Sequence, residues 1–194
     1  TECLRQRKIA DHPKANTLDL SRLLVDVAKG DSTLVRHATR SRNDGPEDRT
    51  LDDIILQDAK EAINDGKPIT LSYRITNTNR STGTQVSGEI GYQYGEEGLP
   101  AGTVDLRFAG SSGQSFGAFL TPGVRLILTG EANDYVGKGM SGGEIIIKAI
   151  TQRKYVPYDC IILGNTVMYG ATGGALFANG RGGERFCVRN SGGT

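Results

Sequence analysis

The sequence predicts a mainly β protein: a β-helix, coiled from short parallel strands, behind a helical N-terminal extension. Three observations predict it. Glycine is confined to one part of the chain. Of 27 glycines, residues 1–65 hold only Gly30 and Gly45, and the other 25 lie in residues 66–194. That density is far above the usual share of about 7%. Apolar spacing changes at the same place, from helical to alternating. Finally, short runs recur: "SFGAFL" (115–120), "SGGEII" (141–146) and "TGGALF" (172–177) align at offsets of 26 and 31, with "GGERFC" (182–187) as a closer fourth copy.

Residues 1–66 are read as a helical and loop extension, and residues 67–194 as the glycine-rich β domain. In "LDLSRLLVDVAKG", Leu18, Leu20, Leu23, Leu24 and Val27 fall close to helical spacing, and Gly30 ends the run. "TLVRHATRSRNDGPED" is polar and turn-rich, as a linker would be. "TLDDIILQDAKEAINDG" carries the clearest helical stripe: Leu51, Ile54, Ile55, Ala59, Ala62 and Ile63. Thr50 is placed to cap it, with Asp53 three residues on as an acidic capping-box partner. Gly66 is placed to end it in a left-handed conformation.

Strands occupy the rest of the chain. "ITLSYRITNTN" alternates Ile69, Leu71, Tyr73 and Ile75 with polar residues, which predicts a half-buried strand. "TVDLRF" and "VRLILTG" repeat the alternation, and "GEIIIK", "CIILG", "GALFANG" and "ERFCVRN" are read as further strands. Most gaps between these runs leave no room for a helix. Stacking strand on strand lets an interior strand be apolar at consecutive positions, as Ile145, Ile146 and Ile147 are. The corners between strands need a left-handed backbone or close backbone approach, and glycine supplies both. Gly113, Gly117, Gly137, Gly139, Gly142, Gly143, Gly173, Gly174, Gly182 and Gly183 are the expected corner residues.

"DYVGKGMSGGEIIIK" also contains a literal G-x-G-x-x-G at Gly137, Gly139 and Gly142. A dinucleotide site needs an apolar strand before that pattern and a helix after it, because the pyrophosphate rests on the helix N-terminus. Here polar "GEANDYV" precedes it and three β-branched residues come after it. A nucleotide-binding enzyme using Gly137–Gly142 is therefore the weakest reading. A P-loop fits no better, since position 132 is Ala and position 139 is Gly.

Other chemistry is sparse, and no catalytic, cofactor-binding or metal-binding residue is assigned. His12 and His37 both lie in the polar N-terminal part, and no C-x-x-C or His pair supports zinc. The pairs Asp52-Asp53 and Glu96-Glu97 read as solvated helix or loop surface. Arg185 and Arg189 would share one face of a strand and, with Arg181, suit solvent or interdomain ion pairing. Tyr92 and Tyr94 read as packing or rim residues. Cys3, Cys160 and Cys187 fit a reduced, cytoplasmic compartment, with Cys160 and Cys187 as core thiols in strands. Formal net charge is +1, which favours neither nucleic acid nor an anionic membrane surface. No apolar run nears the roughly 20 residues that cross a bilayer. The polar start at Thr1 lacks an apolar signal-peptide core and suggests a processed chain or a piece of a larger one.

"SGEIGYQYGEEGLPAGTVDLRFAGSSGQSFGAFL", "GEANDYVGKGMSGGEIIIK" and "GNTVMYGATGGALFANGRGGERFCVRNSG" closely resemble the C-terminal GXGXG domain of the glutamate synthase large (α) subunit. The resemblance extends from about Leu18 to the last residue. It implies a right-handed β-helix that moves no atoms itself. It implies that FMN, a 3Fe–4S cluster and a reduced electron donor belong to the holoenzyme, and that the amidotransferase and synthase domains are the partners. This domain would brace the two so that ammonia from glutamine reaches 2-oxoglutarate. A free-standing scaffold subunit of a multi-chain complex is the alternative. The resemblance also implies further glycine-rich turns past Thr194, so that end is expected to be continued or covered.

Overall fold

The computed structural model describes residues 31, 33, 49–150 and 156–194. The helix expected over residues 18–27, Cys3, His12 and His37 lie outside them. The first described helix, α1 (Leu51–Asp65), starts and stops as its sequence asks. The Thr50 hydroxyl accepts from Asp53 N at 3.2 Å, and the Asp53 carboxylate accepts from Thr50 N at 2.8 Å. At the other end Gly66 takes φ 65°. Ile55, Ala59 and Ile63 are fully buried along one face, while Ile54 at its edge is exposed. The solvated role expected for Asp52 is wrong: it is only 5% exposed.

After β1 (Ile69–Ile75) comes a second helix that the strand grammar hides, α2 (Thr84–Tyr94). Its core-facing residues, Val86 and Ile90, are fully buried four positions apart. Gly88 and Gly91 dilute the apolar stripe and lower its helix propensity. A Cβ on Gly88 would meet nothing within 4 Å. Gly88→Ala should therefore stabilise the protein by about 0.5–1 kcal/mol in urea denaturation, because it narrows the unfolded ensemble. Tyr94 ties the two helices, its hydroxyl donating to Ile63 O at 2.6 Å, whereas Tyr92 is exposed.

The remaining strands are β2 (Val104–Ser112), β3 (Val124–Ala132), β4 (Ser141–Lys148), β5 (Ile161–Leu163), β6 (Gly173–Ala178) and β7 (Arg181–Gly182). All pairings are parallel, in the order β1-β2-β3-β4-β6, with β5 joining the end of β3 to β7. The fold is thus mainly parallel sheet with helices at its N-terminal side of the sequence.

Register makes the core. Leu71, Leu106, Leu126, Ile145 and Leu176 stand in one row across five strands. Leu106, Leu126 and Ile145 in that row are fully buried. Full burial of one such side chain contributes roughly 1.5–3 kcal/mol. The next inward row runs Tyr73, Phe108, Leu128 and Ile147. Tyr73 stacks on Phe108 at 6.0 Å between centroids, and its hydroxyl donates to Asp58 at 2.8 Å. Burial and that carboxylate push the Tyr73 phenol well above its ordinary range. One residue out of phase, the opposite side of the sheet carries an ion ladder. Asp105 pairs with Arg107 at 3.0 Å and with Arg125 at 3.6 Å, and Arg125 reaches Glu144 at 2.5 Å.

Glycines also stack within the strands. Ile75, Gly110 and Gly130 share one row, and Gly110 and Gly130 have φ 139° and 148°. A Cβ on Gly130 would run into the carbonyl of Gly110, and one on Gly110 into that of Ile75. Neither glycine stood among the expected corner positions.

"ERFCVRN" is not a strand. Residues 184–189 form turns, and Arg185, Cys187 and Arg189 have φ 55°, 56° and 55°. Arg185 and Arg189 therefore share a corner, not a strand face. Cys160, half-buried, immediately precedes β5, and Cys187 sits half-buried in the corner, where burial pushes its thiol up.

Candidate functional site

The strands are joined by a corner that recurs with a fixed backbone pattern. Alternate residues are left-handed: Ser115, Gly117 and Phe119; then Tyr135, Gly137 and Gly139; then Thr166, Met168 and Gly170; then Arg185, Cys187 and Arg189. Ser81 and Gly83 begin an earlier partial copy. The residues between them take the ordinary hand, and the first of them points inward in three of the four corners, while Phe186 in the fourth is exposed. Phe116, Val136 and Val167 are fully buried, as are Leu120, Met140 and Ala171 at the close of each corner.

Hydrogen bonds stack one corner on the next. Gly117 N donates to Thr82 O at 2.9 Å, Gly137 N to Phe116 O at 2.9 Å, Met168 N to Val136 O at 2.7 Å and Cys187 N to Val167 O at 2.9 Å. The alignment of "SFGAFL" with "SGGEII" and "TGGALF" therefore needs correction. Residues 141–147 do match 173–178, since Ser141 pairs with Gly173 and Ile145 with Leu176. Residues 115–119 instead match 135–139, 166–170 and 185–189. The physical reason is that the corner repeats a conformation, not a residue. Serine, phenylalanine, tyrosine, threonine, methionine, cysteine and arginine all occupy left-handed positions, at a cost of roughly 1–2 kcal/mol each.

The ten expected corner glycines occupy different environments. Gly117, Gly137 and Gly139 lie in corners. Gly113 lies where a Cβ would come within 2.6 Å of Asn77 O and Asn79 O. Gly142, Gly143, Gly173 and Gly174 lie at the starts of β4 and β6, where two stretches of the chain meet too closely for side chains: a Cβ on Gly142 would sit 2.5 Å from the Pro122 ring. Gly182 belongs to β7 and backs onto the Phe186 ring, and Gly183 meets Asn165.

The decisive geometry concerns the backbone N–H groups from Gly137 to Gly142. All six are already bonded to carbonyls: Gly137 to Phe116, Lys138 to Tyr135, Gly139 to Tyr169, Met140 to Gly137, and Ser141 and Gly142 both to Leu120, at 2.8–3.2 Å. A phosphate cradle works by presenting such groups to an anion. Gly142 itself lies in β4, so no helix N-terminus stands there.

The one buried carboxylate on the helices is also spoken for. Asp52 accepts from Gly83 N at 2.5 Å and Gln85 N at 2.7 Å, so a side chain of α1 caps the N-terminus of α2. Burial pushes its carboxyl up, and these two donors pull the other way. Sequence inspection missed this because the cap comes from 31 residues away. Glu96 and Glu97 form an exposed single turn after α2, and Arg181 pairs with Asp159 at 2.8 Å. Among the described residues, no three His, Cys, Asp or Glu side chains group closely enough to hold a metal ion, and no helix is long and apolar enough to cross a membrane.

Residues 52–194 match the family model described as the GXGXG motif. The chain is 48% identical over 194 residues to a ferredoxin-dependent glutamate synthase 2 of Synechocystis sp., covering 98% of this chain and 12% of that protein. It is 49% identical over 183 residues to a glutamate synthase (NADPH) large chain of Bacillus subtilis, covering 94% of this chain and 12% of the relative. It is 47% identical over 195 residues to the chloroplastic/mitochondrial ferredoxin-dependent glutamate synthase 1 of Arabidopsis thaliana, again covering 98% and 12%. The chain thus spans about an eighth of the length of the curated relatives it matches.

Proposed function

The chain belongs to the GXGXG-motif family, and from that premise we propose that it is the structural domain of a glutamate synthase large chain. In this reading it is a right-handed β-helix that braces an amidotransferase part against a synthase part. Ammonia released from glutamine then reaches 2-oxoglutarate without mixing with bulk solvent. The site of action is cytoplasmic, and the expected corner glycines serve as the points of close backbone stacking.

One observation carries this reading. Every N–H from Gly137 to Gly142 is already bonded to a backbone carbonyl, four of them to a neighbouring corner and two within their own, so this glycine motif is consumed in structure. The buried titratable group points the same way, because Asp52 fastens two helices together. FMN does not fit this motif, whose donors its phosphate would need. A 3Fe–4S cluster needs clustered thiolates, whereas Cys160 bonds to Val156 O and Cys187 lies in a stacked corner. Both groups, and the reduced electron donor, are therefore assigned to the remainder of the large chain. The names of the relatives support glutamate synthesis as the activity of the whole protein.

The test uses the full-length large chain carrying Gly117→Val. The Cβ at Gly117 would sit 2.5 Å from Ile145 Cδ1 and 3.1 Å from Leu126 Cδ1, and Gly117 holds φ 66°, so a branched side chain there both displaces these core residues and strains the corner. Glutamine-dependent glutamate formation should fall by roughly tenfold or more, as expected when reacting parts are misplaced by an ångström or so. Ammonia-dependent formation and FMN content should stay within about twofold of the parent, a difference of under ~0.5 kcal/mol. Equal loss of both reactions would place chemistry in this domain and contradict the proposal.

A further inference from the structure

We propose that the outward side of the stacked corners is a docking strip for an acidic segment elsewhere in the same large chain; this rests on the brace reading above. The strip is continuous. Phe119 is 55% exposed, and its N–H donates to Lys138 O at 2.7 Å. The Lys138 ammonium lies 5.6 Å from the centroid of the Tyr135 ring, itself part-exposed. Gly139 N donates to Tyr169 O at 2.8 Å, which carries the strip to the next corner. There the Arg189 guanidinium lies 6.0 Å from the Tyr169 ring centroid and donates to the Tyr169 hydroxyl at 3.3 Å. Aromatic rings and cations thus alternate along the corners.

Two features meet along this strip. The first is strain. Phe119, Tyr135 and Arg189 hold φ of 57°, 63° and 55°, a conformation that costs a large side chain roughly 1–2 kcal/mol. Position for position, Gly139 and Gly170 show that glycine serves where Phe119 and Arg189 stand. Left-handed backbone belongs to every corner; what Phe119 and Tyr135 add to it is a large ring left open to solvent. The second is charge. Arg107, Arg125 and Arg181 are ion-paired; Lys138 and Arg189, like Lys60, Arg74, Arg80, Lys148 and Arg185, meet no carboxylate among the described residues, and of these cations they alone lie over ring faces. A ring face attracts a cation without cancelling its charge, so both remain able to bind an anion. Asp134, just before Tyr135 in the same corner, turns to the next one, its carboxylate accepting from Asn165 N at 2.7 Å. The partner that fits offers carboxylates beside apolar surface for Phe119 and Tyr135. The relatives are about eight times longer than this chain, so such a segment is sought first in the same polypeptide.

The experiment treats the full-length large chain with a carbodiimide, which joins an amine to a carboxylate in contact, and maps the products by mass spectrometry. Lys138 should couple to an Asp or Glu outside residues 49–194. A K138E/R189E pair should lower glutamine-dependent turnover roughly tenfold, as for loss of a ~1.4 kcal/mol contact, with ammonia-dependent turnover and the melting temperature unchanged. K138Q/R189G keeps the backbone easy and should give a smaller loss of the same kind. Coupling of Lys138 only within residues 49–194, or parental turnover in both pairs, overturns the strip. So does nucleic acid that co-purifies with the parent and is lost from K138E/R189E. If Gly117→Val uncouples the reaction while K138E/R189E does not, the strip fails and the brace stands. If neither uncouples it, both fail.

Discussion

Gly130→Val should destabilise the protein by about 4 kcal/mol or more, among the largest effects available to a single substitution. At φ 148° the residue lies where side chains rarely go, and the added Cβ would run into the carbonyl of Gly110. That carbonyl cannot retreat, because Gly110 is paired with Ile75 on its far side and leans on it as closely. Backbone strain of roughly 1–3 kcal/mol and overpacking of a similar size add. At roughly 2–4 °C per kcal/mol for a chain of this size, the melting temperature should drop by about 8–16 °C. Gly170→Ala is the control. It is also left-handed, at φ 65°, but its Cβ meets nothing within 4 Å. It should cost only the intrinsic penalty of about 1–2 kcal/mol. Equal effects for the two substitutions in calorimetry would remove stacking as the cause.

Asp52→Ala should cost about 3 kcal/mol in urea denaturation, since it leaves the N–H groups of Gly83 and Gln85 without their acceptor at a buried helix end. Asp52→Asn keeps one acceptor oxygen and should cost less. The two also separate in their pH dependence. Burial holds the Asp52 carboxyl above its ordinary value of 3.8. The folded chain therefore binds this proton more tightly than the unfolded chain does. Stability from this group is fullest below 3.8 and falls as pH rises through the folded value. The advantage of the parent over Asp52→Asn should accordingly shrink as pH rises from about 3.8. Asp53 runs the other way, because bonds from Thr50 and Gln85 lower it; its share is present above 3.8 and lost as pH falls. An advantage that grows with pH would show that the backbone donors outweigh burial at Asp52.

What could be read from the sequence was what is local. Thr50 and Asp53 lie three residues apart and Gly66 ends the same helix, so α1 was legible with its caps. Alternation made β1, β2 and β3 legible, and the apolar run at Ile145–Ile147 marked β4. What was hidden depends on distant parts of the chain. The N-terminus of α2 is capped from α1, and its own Gly88 and Gly91 interrupt its apolar stripe. The corners escaped because left-handed backbone was sought at glycine alone, whereas eight non-glycine residues in the four full corners share it. Gly110 and Gly130 did leave a signal, since an isolated glycine inside a strand pattern marks close backbone approach.

The proposed brace is tested most directly by isotope competition in the full-length large chain. Glutamine labelled with nitrogen-15 in its amide is supplied together with excess unlabelled ammonium. The account predicts that the parent protein places the label in glutamate, and that Gly130→Val dilutes it with bulk ammonium while the ammonia-dependent reaction continues. Label retention in Gly130→Val equal to that of the parent, with calorimetry showing this domain unfolded, would contradict it.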